Sequence, residues 1–105
     1  MLVQGVTGFE WDKGNRDKCQ KHGVSVEALE SAFRKAMAIF PDPVHSQGEE
    51  RFIAIGETDE GRNVFVAFTL RHHNGERFIR PISARYMHRK EVEHYEKAIA
   101  QTDQR

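Results

Sequence analysis

The stretch RFIAIGETDEGRNVFVAFTLRHHNGERFIRPISA, residues 51–84, decides the fold class, because apolar and polar residues alternate along much of it. The alternation, together with the abundance of Val, Ile and Phe, predicts three strands over residues 51–55, 63–70 and 77–84. Turn-forming residues at 58–61 and at 72–75 separate these strands, and Asn74-Gly75 is typical of a tight hairpin turn. The sequence therefore predicts an antiparallel meander, and Pro81 implies that its third strand is an edge or contains a bulge.

A short strand and a polar helix are predicted before the meander. Phe9-Glu10-Trp11 alternates in polarity, which indicates a strand, and it ends at Asp12, a residue type that caps helices. The helix over residues 13–21 ends at Gly23, because glycine readily adopts the left-handed backbone that closes a helix.

Two amphipathic helices complete the predicted fold. Ser25 caps the first, which ends before Pro41 because proline disfavours the helical conformation in the preceding residue; residues 41–50 form a loop. Its apolar stripe consists of Val26, Leu29, Phe33, Ala36, Met37 and Phe40. The last helix covers residues 88–100, with Val92, Tyr95, Ala98 and Ile99 on one face. The fold class is therefore α+β, with a short N-terminal strand, two helices, an antiparallel meander sheet and a C-terminal helix.

Length and composition restrict the protein class. With 105 residues, 38% of them hydrophobic, we expect one domain over residues 1–105. No apolar run approaches the roughly 18 residues of a membrane span, and residues 1–7 lack a secretory signal, so we expect a cytoplasmic protein without membrane contact. Cys19 is the single cysteine, which excludes an internal disulfide and a thiol-rich zinc site. His72 and His73 point oppositely on a strand, so we expect no metal and no cofactor.

Positive charge is concentrated in one segment, although the chain has 16 basic and 16 acidic residues in total. Residues 71–90 contain one acidic residue and six basic ones: Arg71, Arg77, Arg80, Arg85, Arg89 and Lys90. This segment is where we expect an anionic partner to bind. The alternative is that these side chains pair with acidic neighbours on a solvated face.

Several motifs in sequence order resemble the BrnT family, the toxins of bacterial type II toxin–antitoxin pairs. The resemblance rests on Phe9-Glu10-Trp11-Asp12, Asn15, Lys21-His22-Gly23-Val24-Ser25, Phe40, Asp42, His45, residues 50–56, Gly61-Arg62, residues 80–85, Arg89, Glu91 and Tyr95. It implies a fold similar to that of RelE-type ribonucleases and RNA cleavage that arrests translation. It also implies neutralisation by a co-encoded, DNA-binding antitoxin resembling BrnA. The toxin itself would then contact DNA only indirectly, through this antitoxin.

Metal-free RNA cleavage requires stabilisation of a phosphorane-like charge, for which arginine is suited by its planar, permanently charged guanidinium. Arg80 and Arg85 are the candidate catalytic arginines. They differ by an odd number of positions, so they face opposite sides of a regular strand: either a bulge intervenes or only one is catalytic. We favour Arg85, at the strand end, with Glu91 as an orienting partner. The alternative for Arg80 is an ordinary ion pair.

Acid–base catalysis requires groups that exchange protons, and His45 and Glu50 are the catalytic candidates of this type. His45 lies in a proline-flanked polar loop, although it is equally consistent with an exposed loop histidine. The candidate RNA-binding residues are Lys21, Arg51, Arg71, Ser83, His88 and Arg89. An antitoxin that masks a basic face is expected to cover residues 71–90.

Three hypotheses follow from these observations. The first is a metal-independent endoribonuclease toxin that produces 2′,3′-cyclic phosphate ends. The second is a catalytically inactive toxin-like module that acts as a corepressor with its antitoxin, which fits the balanced charge. The third is a structural α+β domain that binds phosphate non-specifically, with steep salt dependence and no cleavage.

Overall fold

A computed structural model of the chain describes residues 5–103. Residues 1–4 and 104–105 lie outside the described part. Residues 1–4 belong to the segment 1–7, in which we expect no secretory signal. Its strands are β1 (Val6–Phe9), β2 (Ala38–Pro41), β3 (Arg51–Glu57), β4 (Asn63–His73) and β5 (Glu76–Tyr86). Its helices are α1 (Lys13–Gln20), α2 (Val26–Arg34), a short 3₁₀ helix (Pro43–His45) and α3 (Arg89–Asp103). The five strands form one sheet in the order β1-β5-β4-β3-β2, which confirms the α+β class.

The predicted meander is confirmed and forms the centre of the sheet. Strands β3, β4 and β5 pair antiparallel, while β1 pairs parallel with β5 and β2 pairs antiparallel with β3. Asn74 and Gly75 both have positive φ, 52° and 80°, as the tight hairpin turn requires. The predicted turn is nevertheless too long, because β4 continues through His73, which pairs with Glu76.

The second predicted helix is too long, and its last residues form β2. Helix α2 ends at Arg34, Lys35 is extended, and Ile39 and Phe40 pair with β3. The apolar spacing of this segment also fits a strand, since Ile39 packs against the core and Phe40 projects to the other face. A Cβ at Gly56 would lie 2.7 Å from Cγ of Met37, so Gly56 leaves the room that the side chain of Met37 needs. Pairing with β3 thus overrides the helical pattern.

Helix α2 covers one face of the sheet, α1 lies along β5, and together they enclose the core. The fully buried apolar side chains at this interface include Cys19, Val24, Leu29, Val64, Val66 and Phe68. The rings of Phe33 and Phe68 meet edge to face at 5.4 Å. The predicted caps are confirmed: the Asp12 side chain accepts from the Asn15 N–H, and Ser25 Oγ accepts from the Ala28 N–H.

A bulge in β5 determines which side chains share the opposite face. Ala67 of β4 pairs with Ser83 and Phe68 pairs with Pro81, so Ile82 is an extra residue in β5. Because β1 lies beyond β5, Pro81 is in an interior strand, and the bulge rather than the edge accommodates it.

The bulge brings both candidate arginines to one face of the sheet. Arg80 pairs with Thr69 and Arg85 pairs with Phe65, and these two β4 residues are four positions apart. Arg80 and Arg85 therefore both project from the sheet face opposite α2, where Arg80 also contacts Asp12 at the start of α1. Helix α3 lies against this second face, where the ring of Tyr95 meets that of Phe40 at 6.4 Å.

Asn15 fixes α1 to the bulge. Its buried side-chain amide donates to the carbonyls of Glu10, at 3.0 Å, and Pro81, at 2.8 Å, while its Oδ1 accepts from the Asp12 N–H at 2.7 Å. One side chain thus joins the end of β1, the start of α1 and the bulge of β5.

We predict that Asn15→Ala lowers the free energy of unfolding by about 1–3 kcal/mol, because two buried carbonyls and one N–H lose their partner. Urea unfolding followed by circular dichroism measures the change. Gln20→Ala is the control, since Gln20 is exposed on the same helix, and its change should stay within about 0.5 kcal/mol. Equal effects of the two substitutions would contradict the role given to Asn15.

Candidate functional site

A groove crosses the sheet face opposite α2 and is bordered by α1. It consists of two adjoining cavities of about 380 and 400 Å³, which share Lys18, Arg51 and Ile82 in their walls. The floor of the first cavity is apolar and is formed by Ile53, Phe65, Ala67 and Ile82. Its walls are polar and are formed by Lys18, Asp42, His45, Arg51 and Ser83. The second cavity adds Glu49, Arg71 and Arg80 to the lining.

Two arginines of the groove are held by carboxylates. Arg71 Nε donates to Glu49 Oε2 at 2.7 Å, and Arg80 Nη1 donates to Glu10 Oε1 at 3.1 Å. Arg80 Nη2 also donates to Asp12 Oδ2 at 2.8 Å. The alternative considered for Arg80, an ion pair, is therefore present in the structure.

Glu10 is the centre of this charge network. Its carboxylate contacts His73 and Arg80 through hydrogen bonds, and Arg71 Nη1 lies 3.6 Å from its Oε1. The hydrogen bond with His73 lowers the pKa of Glu10, and the charges of Arg71 and Arg80 lower it further. Glu10 therefore stays ionised and offsets part of the positive charge of the groove.

Lys18 and Arg51 are the cations of the groove without an ion pair among the described residues 5–103. Their ammonium and guanidinium groups are available to an anionic ligand. Arg51 was predicted from the sequence as an RNA-binding residue, whereas Lys18 was not. The helical spacing gave a partial signal for Lys18, because Lys18 lies three residues after the buried Asn15 and shares its helix face. That face meets the groove only because α1 docks at the bulge.

Arg85 borders the groove and is bound by α3. Its Nη1 and Nη2 donate to Glu91 Oε1 and Oε2 at 2.8 and 2.7 Å, and its guanidinium lies 4.6 Å from the centre of the Phe65 ring. Glu91 also accepts from the His88 N–H at 3.1 Å. The hydrogen bonds from Arg85 lower the pKa of Glu91 to about 2, and that from His88 contributes. The pairing of Arg85 with Glu91 expected from the sequence is present.

His45 reaches the groove from the 3₁₀ helix. Its Nδ1 lies 2.9 Å from Asp42 Oδ2, and both residues line the first cavity. Glu50, the other acid–base candidate, has an exposed side chain, and its backbone carbonyl accepts from Thr69 Oγ1 at 2.7 Å. The neighbouring Glu49 supplies the carboxylate that lines the groove.

The predicted RNA-binding residues divide into two groups. Arg51, Arg71 and Ser83 line the groove. Lys21, His88 and Arg89 are exposed outside its lining, with Lys21 at the end of α1 and Arg89 paired to Glu93 on α3 at 3.4 Å.

Other chemistries find no support in the described part of the chain. No group of three or more His, Cys, Asp or Glu residues within residues 5–103 is arranged to hold a metal ion. Burial raises the pKa of the Cys19 thiol to about 11, so Cys19 is protonated at neutral pH and is a poor nucleophile. No helix within these residues is long and apolar enough to cross a membrane.

The fold and the groove together define a small α+β protein with α2 on one sheet face and, on the other, α3 and a cation-lined groove. The sequence model of the BrnT family, described as the ribonuclease toxin of a type II toxin–antitoxin system, matches residues 11–91. The chain belongs to this family, which confirms the resemblance found in the sequence, and a type II system implies an antitoxin partner. No curated protein matches the chain.

The Arg85–Glu91 pair generates a prediction about acid stability. Because the pKa of Glu91 in the folded chain is about 2, below its ordinary value of 4.5, the pair stabilises the fold above about pH 4.5 and loses this contribution as the pH falls toward 2. Glu91→Gln should therefore lose less stability than the natural chain between pH 7 and pH 3.

Urea unfolding at the two pH values measures this loss of stability. Glu96→Gln is the control, because Glu96 is exposed on the same helix and makes no comparable bidentate pair, and it should behave as the natural chain does. If Glu91→Gln and the natural chain lose the same free energy of unfolding between pH 7 and pH 3, the stabilising role of the Arg85–Glu91 pair is contradicted.

Proposed function

We propose that the groove is the RNA site of a metal-independent endoribonuclease that acts in the cytoplasm and arrests translation. The observation that carries the proposal is the position of two unpaired cations, Lys18 and Arg51, in one groove with His45, in a chain of a ribonuclease toxin family. The apolar floor around Phe65 suits a nucleobase of a single strand, since bases stack on aromatic rings.

Lys18 and Arg51 supply the first contacts with the RNA backbone. Phosphate groups bind lysine as a point charge and arginine through two parallel hydrogen bonds. Binding to these two side chains breaks no existing ion pair, whereas binding to Arg71 or Arg80 requires a phosphate to compete with Glu49, Glu10 or Asp12. Backbone phosphates therefore reach Lys18 and Arg51 first.

Arg85 is the proposed stabiliser of the phosphorane-like charge. Its two parallel hydrogen bonds to Glu91 have the geometry that it would offer to two phosphate oxygens. A substrate phosphate in this role replaces the Glu91 carboxylate, which frees the start of α3. Arg80 lies on the same sheet face and reinforces the positive field.

The proposed reaction is a transesterification. The ribose 2′-oxygen loses its proton to a base and forms a bond to phosphorus, while the bond from phosphorus to the 5′-oxygen breaks. The leaving 5′-oxygen takes a proton from solvent, and the products are a 2′,3′-cyclic phosphate and a 5′-hydroxyl. His45 is the proposed base, since it lines the same cavity as Lys18 and Arg51, whereas Glu50 lies outside the lining.

A BrnA-like antitoxin is the proposed partner, and it neutralises the enzyme by covering residues 71–90. This segment contributes Arg71, Arg80 and Ser83 to the groove and Arg85 to its border, so covering it blocks RNA. In this arrangement DNA is reached only through the antitoxin.

One observation favours a second function. Arg71, Arg80 and Arg85 are each held by a carboxylate, which is the arrangement expected of a solvated, charge-paired face. A chain in which these pairs never open would be a catalytically inactive partner and corepressor of its antitoxin. Cleavage of RNA separates the two functions.

We predict that the purified, antitoxin-free chain cleaves single-stranded RNA in excess EDTA and leaves 2′,3′-cyclic phosphate ends, detectable by mass spectrometry. Arg85→Ala should lower the rate by roughly 10²–10³-fold, the usual effect of removing one transition-state donor. Arg34→Ala, at an exposed arginine of α2 that is outside the groove lining, is the control and should retain the natural rate. Absence of cleavage by the natural chain leaves two possibilities, the corepressor function or a ribosome-dependent toxin, and a growth assay with and without the antitoxin separates them. Full activity of Arg85→Ala removes Arg85 from the site.

A further inference from the structure

The loop between β2 and β3 holds His45 in a defined place. Asp42 N–H donates to the Arg51 carbonyl at 3.0 Å, which closes the loop at its base. Ser46 Oγ donates to the Asp42 carbonyl at 2.6 Å and accepts from the Arg51 N–H at 2.9 Å, which closes it a second time. These bonds use backbone groups of Asp42 and leave its carboxylate for another partner.

That partner is the imidazole of His45. Asp42 Oδ2 lies 2.9 Å from His45 Nδ1, and no other hydrogen bond of the Asp42 side chain occurs within residues 5–103. The Asp42 side chain is only 16% exposed, while that of His45 is 65% exposed. The carboxylate is thus the shielded, fixed member of the pair, and the ring is the member that a ligand in the groove can reach.

The contact decides which ring nitrogen is free. A neutral imidazole carries one N–H, and a carboxylate next to Nδ1 favours the tautomer with the hydrogen on Nδ1. Nε2 then carries a lone pair and makes no hydrogen bond within the described residues. This is the nitrogen that can accept a proton from a ligand.

We propose that Asp42 is a positioning residue, which fixes His45 in the Nδ1–H tautomer so that Nε2 accepts the proton of the ribose 2′-hydroxyl. The proposal rests on the proposed function of the groove. In the step, the proton moves from the 2′-oxygen to Nε2, the 2′-oxygen binds phosphorus, and the bond to the 5′-oxygen breaks with protonation from solvent. The positive charge that arises on the ring is stabilised by the adjacent Asp42 carboxylate.

The first test is kinetic and uses Asp42→Asn, His45→Ala and the double variant. Asp42→Asn keeps the size of the side chain and the backbone bonds of the loop, so we expect RNA binding and KM to be unchanged and kcat to fall by roughly tenfold or more. Because Asp42 acts through His45, adding Asp42→Asn to His45→Ala should cause no further loss. Asp59→Asn is the matched control, since Asp59 pairs with Lys35 outside the groove.

The second test does not depend on cleavage. Long-range ¹H–¹⁵N spectra of the histidine rings report which nitrogen carries the hydrogen. We expect His45 in the Nδ1–H tautomer in the natural chain and a shift toward the Nε2–H tautomer in Asp42→Asn. His94, exposed on α3, should be unaffected.

The outcomes separate the proposal from the function on which it rests. A natural chain that cleaves RNA together with a fully active Asp42→Asn overturns the role of Asp42 alone. Additive losses in the double variant give Asp42 a structural role and overturn it as well. If the natural chain does not cleave RNA, the proposed function is overturned, and with it the predicted effect of Asp42→Asn on kcat. If His45 of the natural chain is in the Nε2–H tautomer, Asp42 does not position His45 as proposed.

Discussion

The hydrogen bond from the Asn15 side chain to the Pro81 carbonyl is the contact on which the arrangement of the site depends. Pro81 has no backbone N–H for the hydrogen-bond ladder of an interior strand, and β5 has a bulge with one extra residue at this point. After the bulge, the side chains of β5 alternate between the sheet faces in the opposite phase. Arg80 and Arg85 thereby reach the same face. The same bond docks α1 at the bulge, which brings Lys18 over the edge of the sheet and into the groove.

Electrostatic balance explains how a chain without net charge could present the proposed surface for RNA. The carboxylates of Glu10, Glu49 and Glu91 form ion pairs with three arginines, Arg80, Arg71 and Arg85. Exchange of the Glu49 carboxylate at Arg71 costs little, because the pair is partly exposed, and counterion release drives it. Exchange of the Glu91 carboxylate at Arg85 costs more, because this bidentate pair lowers the pKa of Glu91 to about 2. Among the groove residues within 5–103, Lys18 and Arg51 are the cations that would contact a phosphate without this exchange. We therefore expect binding in two stages, with the unpaired cations first and Arg85 later.

Local signals in the sequence predicted most of the fold. The meander, the Asn74-Gly75 turn and the caps at Asp12 and Ser25 depend on neighbouring residues, and all are present. Strand β2 was missed because its spacing fits a helix equally well, and only its partner β3 decides between them. Lys18 was missed for a related reason: its place in the groove follows from the docking of α1 at the bulge. From the sequence, Pro81 indicated either a bulge or an edge strand, and only the strand order, with β5 inside the sheet, decides between them.

Mapping a bound RNA by NMR is the best test of whether RNA binds in the groove. The ligand is a short single-stranded RNA whose 2′-hydroxyls are methylated, so that it binds without being cleaved. We expect the amide shifts to concentrate at Lys18, Arg51 and Ser83 and to weaken steeply with added salt. Shifts confined to the exposed surface of α2, with the groove unperturbed, would contradict it.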